Sequence, residues 1–285
     1  MAILAASLTL GTIGTYVVRV AADSHLTAPA PTAVVTDRNG TFLTQAGHES
    51  LRPNGARQVE YGYWPVVPPD RVIRMTLALE DRRFWSHPGV DPIAVLRAVW
   101  QHVRGGHTSG ASTLAMQVAR MQHKRPRTLW AKAVEAGTAL ALTARYGRAA
   151  VLAQYVRLAP YGESSHGIAH AAWWYFDKPA HDLTWAQAAL LSGIPQAPSR
   201  LAPRGSGLAH AVTRARLALG AAGLPPDTLA QARAELDHMT VLPVRRRPPA
   251  LQTVLRLEAM ARESGTTRLR ATLDLPTQDW VARMA

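Results

Sequence analysis

Residues Leu79–Gln117, LEDRRFWSHPGVDPIAVLRAVWQHVRGGHTSGASTLAMQ, decide how this chain is read. The acidic pair Glu80-Asp81 closes one predicted helix. Phe84 and His87 follow, then a second helix, a Gly/Ser/Thr loop and a third helix that carries Gln117. Asp91-Pro92 reads as an N-cap followed by proline at the first helical position, and Gly105-Gly106 as the stop. Between them Ile93, Leu96, Val99, Trp100 and Val103 recur as an apolar stripe. Glu80 stands at a helix C-terminus, where the negative end of the dipole and burial both favour proton uptake, as a base working near neutral pH requires. The bland alternative is a solvated Glu80–Arg83 pair one turn apart.

Upstream, Met1–Val18 has no charged residue and would span roughly 27 Å as a helix. It reads as a membrane anchor, with a signal peptide cleaved near Val20-Ala21-Ala22 as the competing reading. Ala28–Ala33 is a stiff spacer. AVVTDRNGTFL then gives two strand-like runs around Asn39-Gly40, a hairpin signal. Asp70 is predicted to cap the helix that ends at Glu80.

Downstream, helices are predicted over Thr113–Met121, Arg127–Tyr146 (closed by Gly147), Arg148–Leu158, Gly167–Phe176 and Thr184–Leu191. Thr184-Trp185-Ala186-Gln187 is a capping box. Weaker helices lie around 209–222, 226–239 and 249–261, and TTRLRATLDL near the end is strand-like. No internal repeat is present. The fold class is mainly α.

The 285 residues, 47% of them hydrophobic, suffice for one or two folded domains. Cysteine is absent, which excludes disulfides and thiolate metal sites. The formal charge of +13 is carried almost wholly by arginine, since Lys124, Lys132 and Lys178 are the lysines. Such a balance suits phospholipid headgroups, pyrophosphates or nucleic acid, and by itself selects none of them. There is no zinc-spaced set of ligands, no glycine-rich phosphate loop and no GxSxG elbow.

A second acidic candidate is Glu135, one turn after Lys132. Glu beside Lys at that spacing is ordinarily surface decoration. With Arg120, Arg127 and Lys132 nearby in sequence, however, the group could neutralise a pyrophosphate, and Glu135 could orient a cation or hold a divalent metal.

Six ordered motifs carry a resemblance. Glu80–His87 (EDRRFWSH), Gly110–Gln117 (GASTLAMQ), Lys132–Glu135 (KAVE), Tyr155–Gly162 (YVRLAPYG), Gly167–Lys178 (GIAHAAWWYFDK) and Ile194–Ser199 (IPQAPS) resemble the peptidoglycan glycosyltransferases of family 51. The wording is similar to the penicillin-binding proteins of the 1C kind, and the likeness covers about Thr36–Pro203. It departs at Ala111, Ala115, Ala131, Arg157 and Gln187, where the family has glycine, a polar residue, arginine, asparagine and glutamate.

The resemblance implies a lysozyme-like, two-lobed helical domain with a cleft, behind an N-terminal anchor helix. It implies polymerisation of lipid II into β-1,4 glycan strands with inversion and release of undecaprenyl pyrophosphate. Glu80 would be the general base, and Glu135 the second catalytic acid and possible ligand of Mg²⁺ or Mn²⁺. Asp81, Arg82, Phe84, His87, Ser112, Thr113, Gln117, Arg120, Arg127 and Lys132 would bind substrate.

The expected layout is an anchor or signal segment over 1–22, a linker over 23–35, the glycosyltransferase domain over 36–205, and a helical tail over 206–285 leading toward an absent transpeptidase domain. No SxxK, SxN or KTG occurs in the chain, so serine penicillin-binding chemistry is not encoded in it. The expected location is the inner membrane, single-pass, with the domain on its outer face. The expected partners are lipid II, the nascent strand and other wall-synthesis proteins.

Three rivals stand beside this reading. A lipid II-binding scaffold with impaired catalysis is motivated by the departures. A hydrolase would need a second carboxylate near Glu80, and only Asp81 and Asp91 are close in sequence. Nucleic-acid binding through the arginines lacks any recognised motif.

Overall fold

A computed structural model describes residues 15–16, 19–20, 23–51, 55–104, 112–123, 128–243 and 251–284. Most of the expected anchor over 1–22, the Gly105-Gly106 stop, Ala111 and Arg127 lie outside the described residues. Among those described, no helix is long and apolar enough to cross a membrane.

The hairpin signal gives β1 (Ala33–Thr36) and β2 (Phe42–Ala46), paired antiparallel. β3 (His48–Leu51) and β4 (Arg57–Gly62) form a second antiparallel pair. The helices follow. They are α1 (Asp70–Glu80), α2 (Pro92–Val103), α3 (Leu114–Gln122), α4 (Leu129–Leu158), α5 (Ile168–Phe176), α6 (Trp185–Gly193) and α7 (Pro198–Leu201). Beyond them come α8 (Ser206–Ala221), α9 (Pro226–Asp237), α10 (Leu251–Ser264) and α11 (Leu275–Met284). β5 (Ser165–His166) extends the second sheet beside β4, and β6 (Arg268–Arg270) pairs parallel with β1. The protein is mostly helical, with two three-stranded sheets.

Local chemistry explains most boundaries. Thr113 caps α3 by accepting from the Met116 N–H at 3.2 Å. Thr184 and Gln187 complete the capping box on α6, each accepting from the other's backbone at 3.1 Å. Gly147, at φ 80°, breaks the ladder inside α4, so the two predicted helices meet there as one bent element. Asp70 is not a cap. Pro69 holds that position, and Asp70 begins α1 with its charge in the first turn, against the positive dipole end.

The α2 stripe departs from a core role. Ile93, Leu96 and Trp100 are exposed, and only Ala94 among the helix's described side chains is buried. The stripe marks an apolar surface instead of a packing seam.

Two apolar clusters organise the rest. The larger gathers α1 and α3 to α6 with α8 and α9, around Met75, Phe84, Leu142, Tyr155 and Tyr175. The smaller joins Ala33, Val35 and Leu43 to Ala261 of α10. Val34 belongs to the larger cluster, while Ala33 and Val35 belong to the smaller, so the two faces of β1 serve two cores. That explains an uninterrupted apolar run in so short a strand. The far end of the chain returns to cover this hairpin, through β6 and a bond from Thr44 to the buried Glu258. Helix α8, beyond residue 205, buries Ala211, Ala215, Ala218 and Leu219 in the larger cluster. Gly62, at φ 109°, lets β4 approach β5 closely: a Cβ there would fall 1.9 Å from the His166 carbonyl oxygen.

Candidate active site

Glu80 ends α1 with its side chain only 10% exposed. Its Oε2 accepts from the Gln117 amide of α3 at 3.2 Å. Its Oε1 accepts from the Arg214 guanidinium of α8 at 2.7 Å. Arg214 is itself anchored, its Nε donating to the Gly193 carbonyl at the end of α6 at 3.0 Å. Three helices therefore converge on one carboxylate.

The hydroxyl of Tyr155, on α4, is buried beside this group and has no hydrogen-bond partner. Burial pushes the Tyr155 phenol well above its ordinary value, and the charge of Glu80 pushes the same way. The neighbouring Tyr161 adds to this, while Arg214 and Arg120 oppose it. Arg120, exposed in the last turn of α3, thus acts electrostatically on the same pocket.

The residues just after Glu80 turn inward. Asp81, Phe84 and His87, expected to contact substrate, are buried, and Asp81 and His87 are hydrogen-bonded to each other. Asp81 faces His87 Nε2 at 3.0 Å and accepts from the Leu114 N–H at 3.1 Å. The Gly89 N–H donates to His87 Nδ1 at 3.2 Å, which makes Nδ1 an acceptor and Nε2 the protonated nitrogen. Thr113 is likewise committed: its hydroxyl caps α3 and donates to the Gly89 carbonyl at 2.5 Å. These bonds fix the start of α3, and hence Gln117, relative to the end of α1.

Gly89, at φ 118°, permits the crossing of this loop over α4. A Cβ there would lie 2.5 Å from the Ala139 carbonyl oxygen. Asp91 caps α2 through the N–H groups of Ile93 and Ala94, at 3.0 and 3.1 Å, and pairs with Arg83. The Arg83 guanidinium and these two amides hold the Asp91 carboxyl down at about 2.

Ser112 is half-buried just before the α3 cap. Lys132 is exposed and Glu135 half-buried on the opening turns of α4, against which α3 packs. No group of three His, Asp or Glu side chains that could hold a metal ion is found among the described residues. Among the described residues Glu135 stands outside any such group.

Arg82 is exposed, bonds back to the Ala78 carbonyl, and lines a groove of about 630 Å³ along α1 with Arg74, Trp85 and Trp185. Glu80 does not line that groove. Two of the departures have structural roles. Arg157 donates to the carbonyl of Tyr63, a residue at φ 60°, at 3.0 Å. Ala131 is buried, and its N–H bonds to the Thr128 cap.

Sequence reading missed Arg214 and Tyr155. Arg214 lies on the alanine face of α8, between Ala211, Ala215 and Ala218, an arginine where the pattern calls for a small apolar residue. That mismatch was the available signal. Tyr155 was inside a recognised motif but carries no local mark of its environment.

Comparison with known proteins finds relatives over the middle of the chain. Penicillin-binding protein 1C of Escherichia coli is 41% identical over 148 residues, which are 50% of this chain and 19% of that protein. Penicillin-binding protein 1A of Haemophilus influenzae is 38% identical over 137 residues, 47% of this chain and 16% of that one. Penicillin-binding protein 1F of Bacillus subtilis is 31% identical over 173 residues, 59% and 23% respectively. The chain thus matches about a fifth of the length of these relatives. The crystal structure of the Haemophilus influenzae protein aligns over 87% of this chain and 27% of that one, at 17% identity and a TM-score of 0.44. The family described as Transglycosylase matches residues 57–222, a span that holds Glu80, Gln117, Glu135, Tyr155 and Arg214 together. With well over half its length inside that match, the chain belongs to the transglycosylase family.

Proposed function

We propose that the protein is a peptidoglycan glycosyltransferase that polymerises lipid II, with Glu80 as general base. The observation that carries this reading is the convergence of α1, α3 and α8 on the Glu80 carboxylate. In the proposed reaction Glu80 takes the proton of the acceptor's 4-hydroxyl. The freed oxygen attacks C1 of the lipid-linked donor from the face opposite the pyrophosphate, so the configuration inverts and undecaprenyl pyrophosphate departs. Gln117 orients the carboxylate. Arg120 and Lys132, with Arg127 beyond the described residues, offset the charge on the leaving group, and Glu135 orients Lys132. No step is assigned to a divalent cation. The exposed Ile93, Leu96, Trp100 and Leu129 suit a protein that works against the lipid carrying its substrate, at the inner membrane.

The test is a lipid II polymerisation assay on the detergent-solubilised chain, with and without divalent cation and moenomycin. Glycan strands that disappear with moenomycin support the reading. The impaired-scaffold reading is favoured by one feature, that both Glu80 oxygens are already engaged, and it predicts lipid II binding without strands.

A further inference from the structure

The geometry points to Arg214 as the positioning residue of the reaction, one that aims the Glu80 carboxylate and balances its charge, with the Gly193 carbonyl as its anchor. This inference rests on Glu80 being the base.

Three observations carry it. First, one guanidinium spans two acceptors on two helices: Nη2 reaches Glu80 Oε1 at 2.7 Å and Nε reaches the Gly193 carbonyl at 3.0 Å. A planar fork can serve both at once, and a lysine cannot. Second, α6 ends on a residue without a side chain. A Cβ on Gly193 would meet Arg214 Cγ at 3.2 Å, tight enough that the arginine would have to shift. Third, both partners are largely buried, with side chains 18% and 10% exposed, so the pair is screened less than a surface pair would be.

The charged and titratable groups around Glu80 are few. Arg214 faces it from α8, Arg120 stands on α3, and Tyr155 comes from α4 with Tyr161 just beyond it. At the end of α6 the Ser192 hydroxyl accepts from Thr76 and the Gly193 carbonyl accepts from Arg214. On its own stretch, Asp81 is committed to His87 and Arg83 to Asp91. Among the described residues Arg214 is therefore the cation paired with the base, and its removal has a readable consequence.

The experiment measures kcat and KM of lipid II polymerisation for the full chain and for Arg214→Gln, Arg214→Lys and Glu80→Gln. In Arg214→Gln the carboxylate is no longer held in one orientation, so kcat should fall roughly 10-fold while KM changes little. Arg214→Lys, which keeps the charge but not the fork, should restore part of kcat. Arg214→Gln kinetics that match wild type, or a raised KM with kcat retained, overturn the inference. Should Arg214→Gln fold poorly, thermal melts of Glu80→Gln and the double variant decide: Glu80→Gln must recover stability lost with Arg214, and additive losses overturn the pairing. A Glu80→Gln protein that still makes strands at the normal rate sinks the proposed function itself, an outcome separate from any result on Arg214.

Discussion

Asp81 and His87 hold one another inside the helical core, His87 Nε2 donating to Asp81 at 3.0 Å while the Leu114 N–H donates to the same carboxylate at 3.1 Å. An acid one residue from the proposed base thereby joins α1 to α3. His87→Ala leaves Asp81 buried with one partner lost, which should cost about 2–4 kcal/mol of stability. Thermal or urea denaturation checks this. If His87 served substrate alone, stability would be unchanged and KM would rise.

Glu80→Gln should lower polymerisation by at least ~10²-fold, the lower bound for loss of a general base. The fold should survive, since the amide oxygen can still accept from Arg214 and the amide N–H can donate to Gln117 once that side-chain amide turns over. Strand length on a gel and a circular-dichroism melt together report both halves of this expectation.

Tyr155→Phe separates packing from function. The hydroxyl has no partner in the buried core, so its removal should leave stability unchanged or slightly raised. Turnover should fall if the hydroxyl serves the Glu80 pocket during the reaction. A large loss of stability would show that the hydroxyl is satisfied in solution.

Gly89→Ala should destabilise by about 2 kcal/mol or more. The backbone is at φ 118° and the new methyl meets a carbonyl oxygen and the Thr143 hydroxyl. Equilibrium unfolding tests this. A neutral result would mean that the Gly89 loop can lift off α4 without cost.

Asp91 gives a pH signature. Its carboxyl is held at about 2, below the ordinary value of 3.8, chiefly by Arg83 and then by the α2 amides. A depressed value means that this stabilisation is complete above pH ~4 in the unfolded chain's terms and is lost as pH falls through about 2. Asp91→Asn should flatten the fall in melting temperature over that window. It should also lower stability at neutral pH by removing the ion pair with Arg83, since asparagine caps a helix about as well as aspartate.

The sequence by itself determined the caps at Asp91 and Thr184, the hairpin, the order of helices and the acidic residue at the end of α1. Each of these is written in short-range chemistry: Thr184 three residues before Gln187, Asp91 before Pro92, Asn39-Gly40 between apolar runs. It did not determine where Ile93, Leu96 and Trp100 would face, because helical periodicity marks a stripe without saying whether protein or some other surface meets it. The pairing of β6 with β1 and the arrival of Arg214 at Glu80 were decided only by the tertiary structure. Those contacts join residues more than 130 positions apart. They exist because two apolar clusters must close around β1 and α8, and that closure places an arginine from an alanine-rich helix against the carboxylate.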